Sequence, residues 1–190
     1  MGSVVRTYRQ GARADATART RRRILDAVGD LAEERRSLEI VLADVARRAE
    51  VSVQTVLRHF GTKDALFLAA RDHRLDAARA ERAATPGDVE GAVTALVDFY
   101  EHHGDWSLHM ISREHTDPVV ADVVGRGRVL HREWVAEVFA PALSDDDGTR
   151  LDLLVVSTDV HVWKVLRREM GHDPATTGAR MLALVRGVLP

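Results

Sequence analysis

Cysteine is absent from this 190-residue chain, which excludes disulfide bonds and thiolate chemistry. The chain also lacks any run of 18 or more apolar residues, so the sequence contains no candidate transmembrane helix. The first 23 residues never form the apolar core of a secretory signal. We therefore expect a protein of the cytoplasm.

Strand signals are missing as well, because no sustained alternation of apolar and polar residues, internal repeat or low-complexity tract occurs. The composition is that of a globular protein, with 45% hydrophobic and 29% charged residues. A chain of this length can bury a sizeable core. Its apolar residues recur at helical spacing, and the sequence therefore predicts an all-α fold.

The net charge of -2 conceals an uneven distribution. Residues 1–63 contain 13 Lys or Arg and 8 Asp or Glu, whereas residues 64–190 contain 14 and 21. Only the first third is therefore suited to approach a polyanion. Because residues 1–18 have no apolar face, we expect them to form a basic flexible arm that can contact phosphates or enter the minor groove.

Residues 44–63, DVARRAEVSVQTVLRHFGTK, predict two short helices joined by a tight turn, with Ser52 as N-cap of the second. The second helix should bury its apolar side chains, which are Val53, Val56, Leu57 and Phe60. Its polar side chains should face outward, where they can reach base edges or phosphates: Gln54, Thr55, Arg58 and His59. The pattern is that of a helix-turn-helix, although a surface hairpin with a solvated polar face has the same spacing.

Helices are also predicted on both sides of this pair. Residues 20–34 place apolar side chains on one stripe, namely Ile24, Leu25, Val28, Leu31 and Ala32. After Phe60, Thr62 can cap a fourth helix. In this context the segments TRRRILDAVGDLAEE and VLADVARRAEVSVQTVLRHFGTKDALF resemble the DNA-binding domain of tetracycline-repressor-type (TetR family) transcriptional regulators, over residues 20–67.

The resemblance implies a three-helix DNA-binding domain over residues 19–66 and a helical ligand-binding and dimerisation domain over residues 67–190. It also implies a ligand-responsive repressor that acts as a homodimer on a palindromic operator. We assign base contacts to Gln54, Thr55 and Arg58. Phosphate contacts and positioning are assigned to Ser52, His59 and Lys63. The alternative is a helical small-molecule-binding or catalytic protein that has lost specific DNA binding.

Four positions depart from the family pattern. The family usually has Gly at Arg36 and at Glu50, a Thr or Ser pair near Ile40, and Tyr at Leu57. A left-handed helix end at Glu50 would cost on the order of 1 to 2 kcal/mol without Gly. Ile40 and Leu57 lack the hydroxyl groups of the family residues, so we expect some phosphate contacts to lie elsewhere.

Further helices are predicted beyond the DNA-binding segment. Residues 62–83 form a long connecting helix that ends before Pro86. A second helix begins at residue 89 and stops at Gly104, and a short third one follows from Trp106.

The C-terminal part repeats one helix-start signal. Asp117 and Asp173 are each followed by proline, which is an N-cap with Pro at the first helical position. Between these two starts, the apolar stretch 150–169 predicts one helix covered on several sides. By resemblance to the family, residues 150–169 and 174–189 form the homodimer interface, and burial within a single chain is the alternative.

Six of the nine aromatic residues lie between positions 99 and 163. The resemblance implies that a cavity for an unknown, largely apolar effector lies among them, and small-molecule pockets are mostly apolar with a few polar groups. The residues predicted to line it are Phe99, His103, Trp106, Met110, Leu130, His131, Trp134 and Trp163. For each of them the simpler alternative is packing in the core.

Metal and catalytic sites are not predicted. Six histidines fall in the same region, but none form the spaced pairs that fix a coordination geometry: His102, His103, His109, His115, His131 and His161. Ser112, His115 and Asp117 are neighbours in sequence only, which does not define a catalytic triad. We expect no cofactor.

Overall fold

The computed structural model describes residues 2–143 and 148–189, with side chains described from residue 14 onward. All regular structure in these ranges is helical, as predicted. The chain divides into two compact units, Met1–Arg74 and Leu75–Pro190, whereas the sequence placed the boundary after residue 66. No helix in the described ranges is both long and apolar enough to cross a membrane.

The first unit contains α1 (Gly2–Arg35), α2 (Leu42–Arg48) and α3 (Val53–Phe60), together with the start of α4 (Lys63–Glu81). In it, α1 packs on α2, and α2 packs on α3. Apolar side chains from all four helices and the α1–α2 connection are buried between them, including Ile24, Leu31, Ile40, Val45, Val56 and Leu66. The predicted helix-turn-helix pair and its flanking helices are therefore confirmed.

Helix α1 includes the residues that we expected to be a flexible arm. The segment of α1 before Thr20 is rich in alanine and arginine, which are strong helix formers. The side chains of residues 14–18 are all exposed, so this part of α1 contributes nothing to the core. The contact of this segment with DNA stays a prediction.

The second unit contains α5 (Val89–Arg113), α6 (Pro118–Val138), α7 (Gly148–Ser157), α8 (Val160–Lys164) and α9 (Pro174–Val188). A 3-10 turn, Ala140–Ala142, follows α6, and a π-helical turn, Val165–Glu169, continues α8. Helix α5 is central, since it packs against α6, α8 and α9. The core includes Leu96, Tyr100, Trp134, Phe139, Leu154, Trp163 and Met181.

Three predicted helix starts are confirmed by their caps. The Thr62 hydroxyl accepts a hydrogen bond from the Ala65 amide at 3.1 Å. Asp117 accepts one from the Val119 amide at 2.9 Å, and Asp173 caps α9 in the same manner. These side chains satisfy amides that have no partner inside the helix.

The predicted helix stop at Gly104 is wrong, because α5 continues through it and through Trp106. Gly104 is buried, and a Cβ at this position would lie 2.5 Å from the ring of Trp163. The glycine is therefore needed for close packing between α5 and α8 and does not end a helix.

The single helix predicted over residues 150–169 is also wrong. Helix α7 ends at Ser157, and α8 begins after Asp159, whose carboxylate accepts a hydrogen bond from the His161 amide at 2.8 Å. Thr158 is fully buried between them, and its hydroxyl donates to the Leu154 carbonyl at 2.7 Å. Short polar side chains that bond to nearby backbone compete with a continuous helix, which explains the interruption.

Candidate nucleic-acid interface

The turn between α2 and α3 is closed by a left-handed residue that is not glycine. Glu50 has a φ of 54°, and Arg36 after α1 has a φ of 50°. The Glu50 amide donates to the Arg47 carbonyl at 3.2 Å, and the Val51 amide donates to the Ala46 carbonyl at 2.9 Å. This pair of hydrogen bonds is the Schellman motif. The chain therefore keeps the family's helix end without the family's glycine.

The start of α2 lacks a side-chain cap. Val41 occupies the N-cap position and makes no capping hydrogen bond, as expected from an apolar residue there. Ile40, which precedes it, is fully buried and contributes to the core of the first unit. The position that the family fills with a hydroxyl therefore serves packing in this chain.

Ser52 caps α3 as predicted. Its Oγ accepts a hydrogen bond from the Thr55 amide at 3.0 Å and lies 3.0 Å from the Thr55 Oγ1. The two hydroxyl groups that we assigned to DNA contact therefore bond to each other. This arrangement fixes the first turn of α3.

Gln54 and Arg58 form the open part of the α3 surface. They lie one turn apart, both side chains are exposed, and neither bonds to another residue in the part of the chain that the structure describes. A glutamine and an arginine on one face of a helix can each form paired hydrogen bonds with a purine in the major groove. Both side chains are therefore available for base contact.

The burial predicted for α3 is correct only at its centre. Val56 is buried, whereas Leu57 and Phe60 are half-buried. Val53 is 38% exposed, so its predicted burial is wrong. It is the first residue of a short helix, and the core of the unit covers the middle of α3 more fully than its ends.

Arg21 of α1 holds the C-terminal end of α3. Its guanidinium lies 4.3 Å from the centroid of the Phe60 ring, and its Nη1 donates to the His59 carbonyl at 3.4 Å. A cation suits the negative end of a helix, so this contact stabilises the orientation of α3. The sequence gives no local signal for this contact, because Arg21 and His59 are 38 residues apart in the chain.

His59 and Lys63 lie beside this end of α3. Partial burial, with Arg58 and Arg21 nearby, lowers the pKa of His59, so its ring is neutral near pH 7 and can donate a hydrogen bond without adding charge. Lys63 is exposed, and its Nζ lies 5.4 Å from the Phe67 ring centroid. Of these two, only Lys63 brings a positive charge to a phosphate.

Several arginines around α2 are paired with acids of the same unit. Asp44 lies 2.6 Å from Arg35 and 2.7 Å from Arg47, and Arg48 pairs with Glu34. Hydrogen bonds from these arginines lower the pKa of the Asp44 and Glu34 carboxyl groups. The unpaired positive charge of the motif therefore lies on α3 and at the start of α4.

Comparison with known proteins identifies this motif. The sequence profile described as bacterial regulatory proteins, tetR family, matches residues 35–70, which contain α2, α3 and the start of α4. The match supports a regulator of the tetR family and covers 36 of the 190 residues. A comparison with curated protein sequences gives no match.

Solved structures share the fold of this chain over most of its length. A transcriptional regulator from Rhodococcus sp. Rha1 is 22% identical, with a TM-score of 0.62, over 88% of this chain and 95% of that protein. A Rhodococcus sp. protein described as a TetR-family transcriptional regulator is 19% identical, with a TM-score of 0.62, over 90% and 100%. The multidrug binding protein EbrR, complexed with imidazole, is 18% identical, with a TM-score of 0.55, over 90% and 89%. At these identities the likenesses establish the fold.

The residues predicted to line an effector cavity all lie in the second unit of the regulator. Phe99, His131 and Trp134 are brought together around Arg82, which the sequence analysis did not single out. His103 lies 4.9 Å from Phe99 by ring centroids, and its Nε2 lies 2.9 Å from a Glu81 carboxylate oxygen.

Of the other predicted residues, two have ring contacts elsewhere in the second unit and two are buried. Trp163 packs on Tyr100, with ring centroids 5.9 Å apart, and its Nε1 donates to Glu101 at 2.9 Å. Trp106 stacks on His109, while Met110 and Leu130 are buried.

Two openings in the first unit have mostly charged linings, and none of these predicted residues lines either of them. Within the described ranges, no three His, Asp or Glu side chains are arranged to hold a metal ion. The effector-lining assignment stays a prediction.

Proposed function

We propose that this TetR-family regulator is a ligand-responsive repressor that acts in the cytoplasm as a homodimer on a palindromic operator. The observation that carries the proposal is the open face of α3, where Gln54 and Arg58 are exposed and bond to no described residue. Helix α3 is held by the α2 turn, by the Ser52 cap and by Arg21. A rigid helix with free polar side chains suits the major groove.

The proposed contacts divide between bases and phosphates. Gln54, Thr55 and Arg58 read base edges, and the exposed Val53 at the start of α3 adds an apolar contact with a thymine methyl group. Ser52, His59 and Lys63 contact phosphates and position the helix. The basic segment over residues 1–18 contributes further phosphate contacts.

The homodimer is proposed to form through residues 150–169 and 174–189. Several large apolar side chains in these segments are exposed in the single chain, namely Leu153, Val156, Val165 and Leu184. A second copy of the same chain would cover them by twofold symmetry. The same symmetry would present two α3 helices to half-sites about one helical turn, or a multiple of it, apart.

Effector binding in the second unit is proposed to change DNA affinity through α4. Helix α4 begins beside the recognition helix at Lys63 and ends at Glu81, within the second unit. A shift of α4 would change the separation of the two α3 helices in the dimer. A coupling free energy of about 1 to 3 kcal/mol is sufficient for such a switch. The imidazole complex of EbrR supports small-molecule binding by this fold.

Selection of bound duplexes from a random DNA pool at near-physiological salt tests the proposal. We expect an enriched, roughly palindromic motif that is lost or altered with Arg58→Met. Arg126→Met on α6, where Arg126 pairs with Asp122 at 3.2 Å, is the matched control and should enrich the wild-type motif. Recovery of random sequence by the wild-type protein would contradict the proposal.

A further inference from the structure

Arg82 is a buried arginine without an acidic partner. Only 4% of its surface is exposed, although it directly follows α4 in the second unit. Its Nε donates to the Ala78 carbonyl at 3.0 Å, and its terminal nitrogens bond to no residue in the ranges described. Burial of a guanidinium without a carboxylate is unfavourable, so a role other than stability is indicated.

Two aromatic rings lie against the Arg82 guanidinium. Its Cζ is 4.7 Å from the Phe99 ring centroid and 6.0 Å from that of Trp134. The Trp134 Nε1 donates to the Arg82 carbonyl at 2.7 Å, which fixes the indole beside the arginine. The rings offset part of the lost hydration of the guanidinium through cation–π contact. They do not accept hydrogen bonds from the N–H groups that lie in the guanidinium plane. Those N–H groups suit an anionic acceptor.

A buried polar atom near Trp134 lacks a partner. His131 is 8% exposed, and its ring stacks on Trp134 with centroids 5.9 Å apart. Because the Thr158 hydroxyl donates to the Leu154 carbonyl, the His131 Nε2, 3.1 Å from that hydroxyl, must be the donor. The Nδ1 is then a hydrogen-bond acceptor, and it has no partner in the described structure.

We propose that Arg82 binds the carboxylate of a small anionic effector whose flat apolar body packs against Phe99 and Trp134. A carboxylate accepts two parallel hydrogen bonds from a guanidinium, a match that a lysine or a neutral donor cannot reproduce. The His131 Nδ1 accepts a hydrogen bond from a hydroxyl or amide group of the same molecule. The role of this molecule in controlling DNA binding rests on the proposed function, whereas its binding to Arg82 does not.

The test compares aromatic carboxylates with their neutral amides on the full-length protein. The probes are benzoate, phenylacetate, 2-naphthoate and indole-3-acetate, each paired with its amide, and the readout is the Tm followed by circular dichroism. At a concentration about tenfold above Kd, a bound carboxylate should raise Tm by about 3 to 6 °C. Its amide should raise Tm less.

Two variants separate the anion site from general stability. Arg82→Met should fold with an unchanged or higher Tm, since it removes an unpaired buried charge, and should weaken carboxylate binding by about 10- to 100-fold. Arg126→Met is the control, because Arg126 is exposed on α6 and pairs with Asp122 at 3.2 Å. It should bind the carboxylates as the wild type does.

The outcomes distinguish this inference from the proposed function. If no carboxylate stabilises the wild-type protein more than its amide, the anion site is refuted, and that comparison needs no variant. Equal carboxylate binding by the wild type and Arg82→Met would also refute it, even if the protein selects an operator. If carboxylates bind through Arg82 but no DNA sequence is selected, the inference stands and the proposed function fails.

Discussion

Two residues of the DNA-binding unit hold a backbone conformation that glycine adopts more easily. Arg36 and Glu50 both have positive φ angles at the ends of helices. The left-handed conformation of each residue costs on the order of 1 to 2 kcal/mol relative to glycine in the same conformation. The greater entropy of glycine in the unfolded chain offsets part of this difference. The protein tolerates this strain because both helix ends also carry the Schellman hydrogen bonds.

Glu50→Gly should therefore stabilise the protein. We expect the free energy of unfolding to rise by about 0.5 to 1 kcal/mol, measured by urea denaturation of the full chain. Arg47→Gly, three residues earlier in the regular part of α2, is the control and should lower it by about 1 kcal/mol. A loss of stability with Glu50→Gly would show that the left-handed turn is not strained.

His131 should make the free energy of unfolding depend on pH. Burial lowers its pKa to about 4 in the folded protein, against an ordinary value of 6.5, so the unfolded chain binds a proton more readily between these values. Its contribution to stability is intact above about pH 6.5 and falls as the pH decreases toward 4, by about 2 to 3 kcal/mol in total.

The measurement is urea denaturation of the wild type and of His131→Gln from pH 7 to pH 4. Because carboxyl groups of the protein also titrate in this pH range, the informative quantity is the difference in the free energy of unfolding between the two proteins. The variant should lose less stability than the wild type over this interval. Parallel curves would contradict the assignment of a buried neutral ring.

At the scale of elements, α5 organises the second unit by its contacts with α6, α8 and α9. Among the described glycines, Gly104 makes the closest contact with a neighbouring helix. The Trp163 ring occupies the space that a side chain at Gly104 would need. Trp163 is fully buried and is held by its hydrogen bond to Glu101 of the same α5 helix. It therefore cannot move aside without loss of packing.

Gly104→Ala should destabilise the protein by about 1 to 3 kcal/mol, because the added methyl group overpacks the α5–α8 contact. Gly127→Ala on α6 is the control, since nothing lies within 4 Å of its added Cβ. It should be neutral or stabilising by up to about 1 kcal/mol, as expected for alanine in a helix. Thermal unfolding of both variants tests the contrast, and equal effects would argue against close packing at Gly104.

Local signals in the sequence were sufficient for most helices of this fold. Thr62, Asp117 and Asp173 identified helix starts because a cap acts on amides only two or three residues away. Gly104 was misread, since a glycine that ends a helix and one that admits a neighbouring ring look alike in sequence. The break at Asp159 was missed because the apolar stretch around it keeps helical spacing.

The candidate site was less accessible to sequence reasoning. The polar face of α3 followed from periodicity, and the structure leaves Gln54 and Arg58 exposed. The roles of Arg21 and Arg82 were not predicted, because each depends on contacts with residues on other helices. Arg21 contacts Phe60 and His59, which lie 38 or more residues away in the chain. Arg82 contacts Phe99 and Trp134, which lie on two separate helices. The burial of an arginine cannot be predicted from sequence until its neighbours in space are known.

At the scale of the whole molecule, the proposed repressor requires two copies. The exposed apolar residues of α7 and α9 are the expected centre of the interface, and Val156 and Leu184 are 61% and 48% exposed in the single chain. A second copy of the chain that covers these side chains would remove their apolar surface from water.

Val156→Glu should therefore dissociate the dimer. We expect sedimentation velocity at micromolar concentration to give a dimer for the wild type and a monomer for this variant. Val119→Glu is the control, because Val119 is 63% exposed on α6, outside the proposed interface, and should remain dimeric. A wild-type monomer at this concentration would contradict the proposed assembly.

The most direct test of the account is equilibrium binding of the selected operator and of a scrambled duplex over a series of salt concentrations. The wild type should prefer the operator, Arg58→Ala should lose about 1 to 3 kcal/mol of that preference, and Lys63→Ala should weaken binding to both duplexes and reduce the salt slope by about 1 per contact. Equal binding of operator and scrambled DNA by the wild type at every salt concentration would contradict the claim that α3 reads sequence.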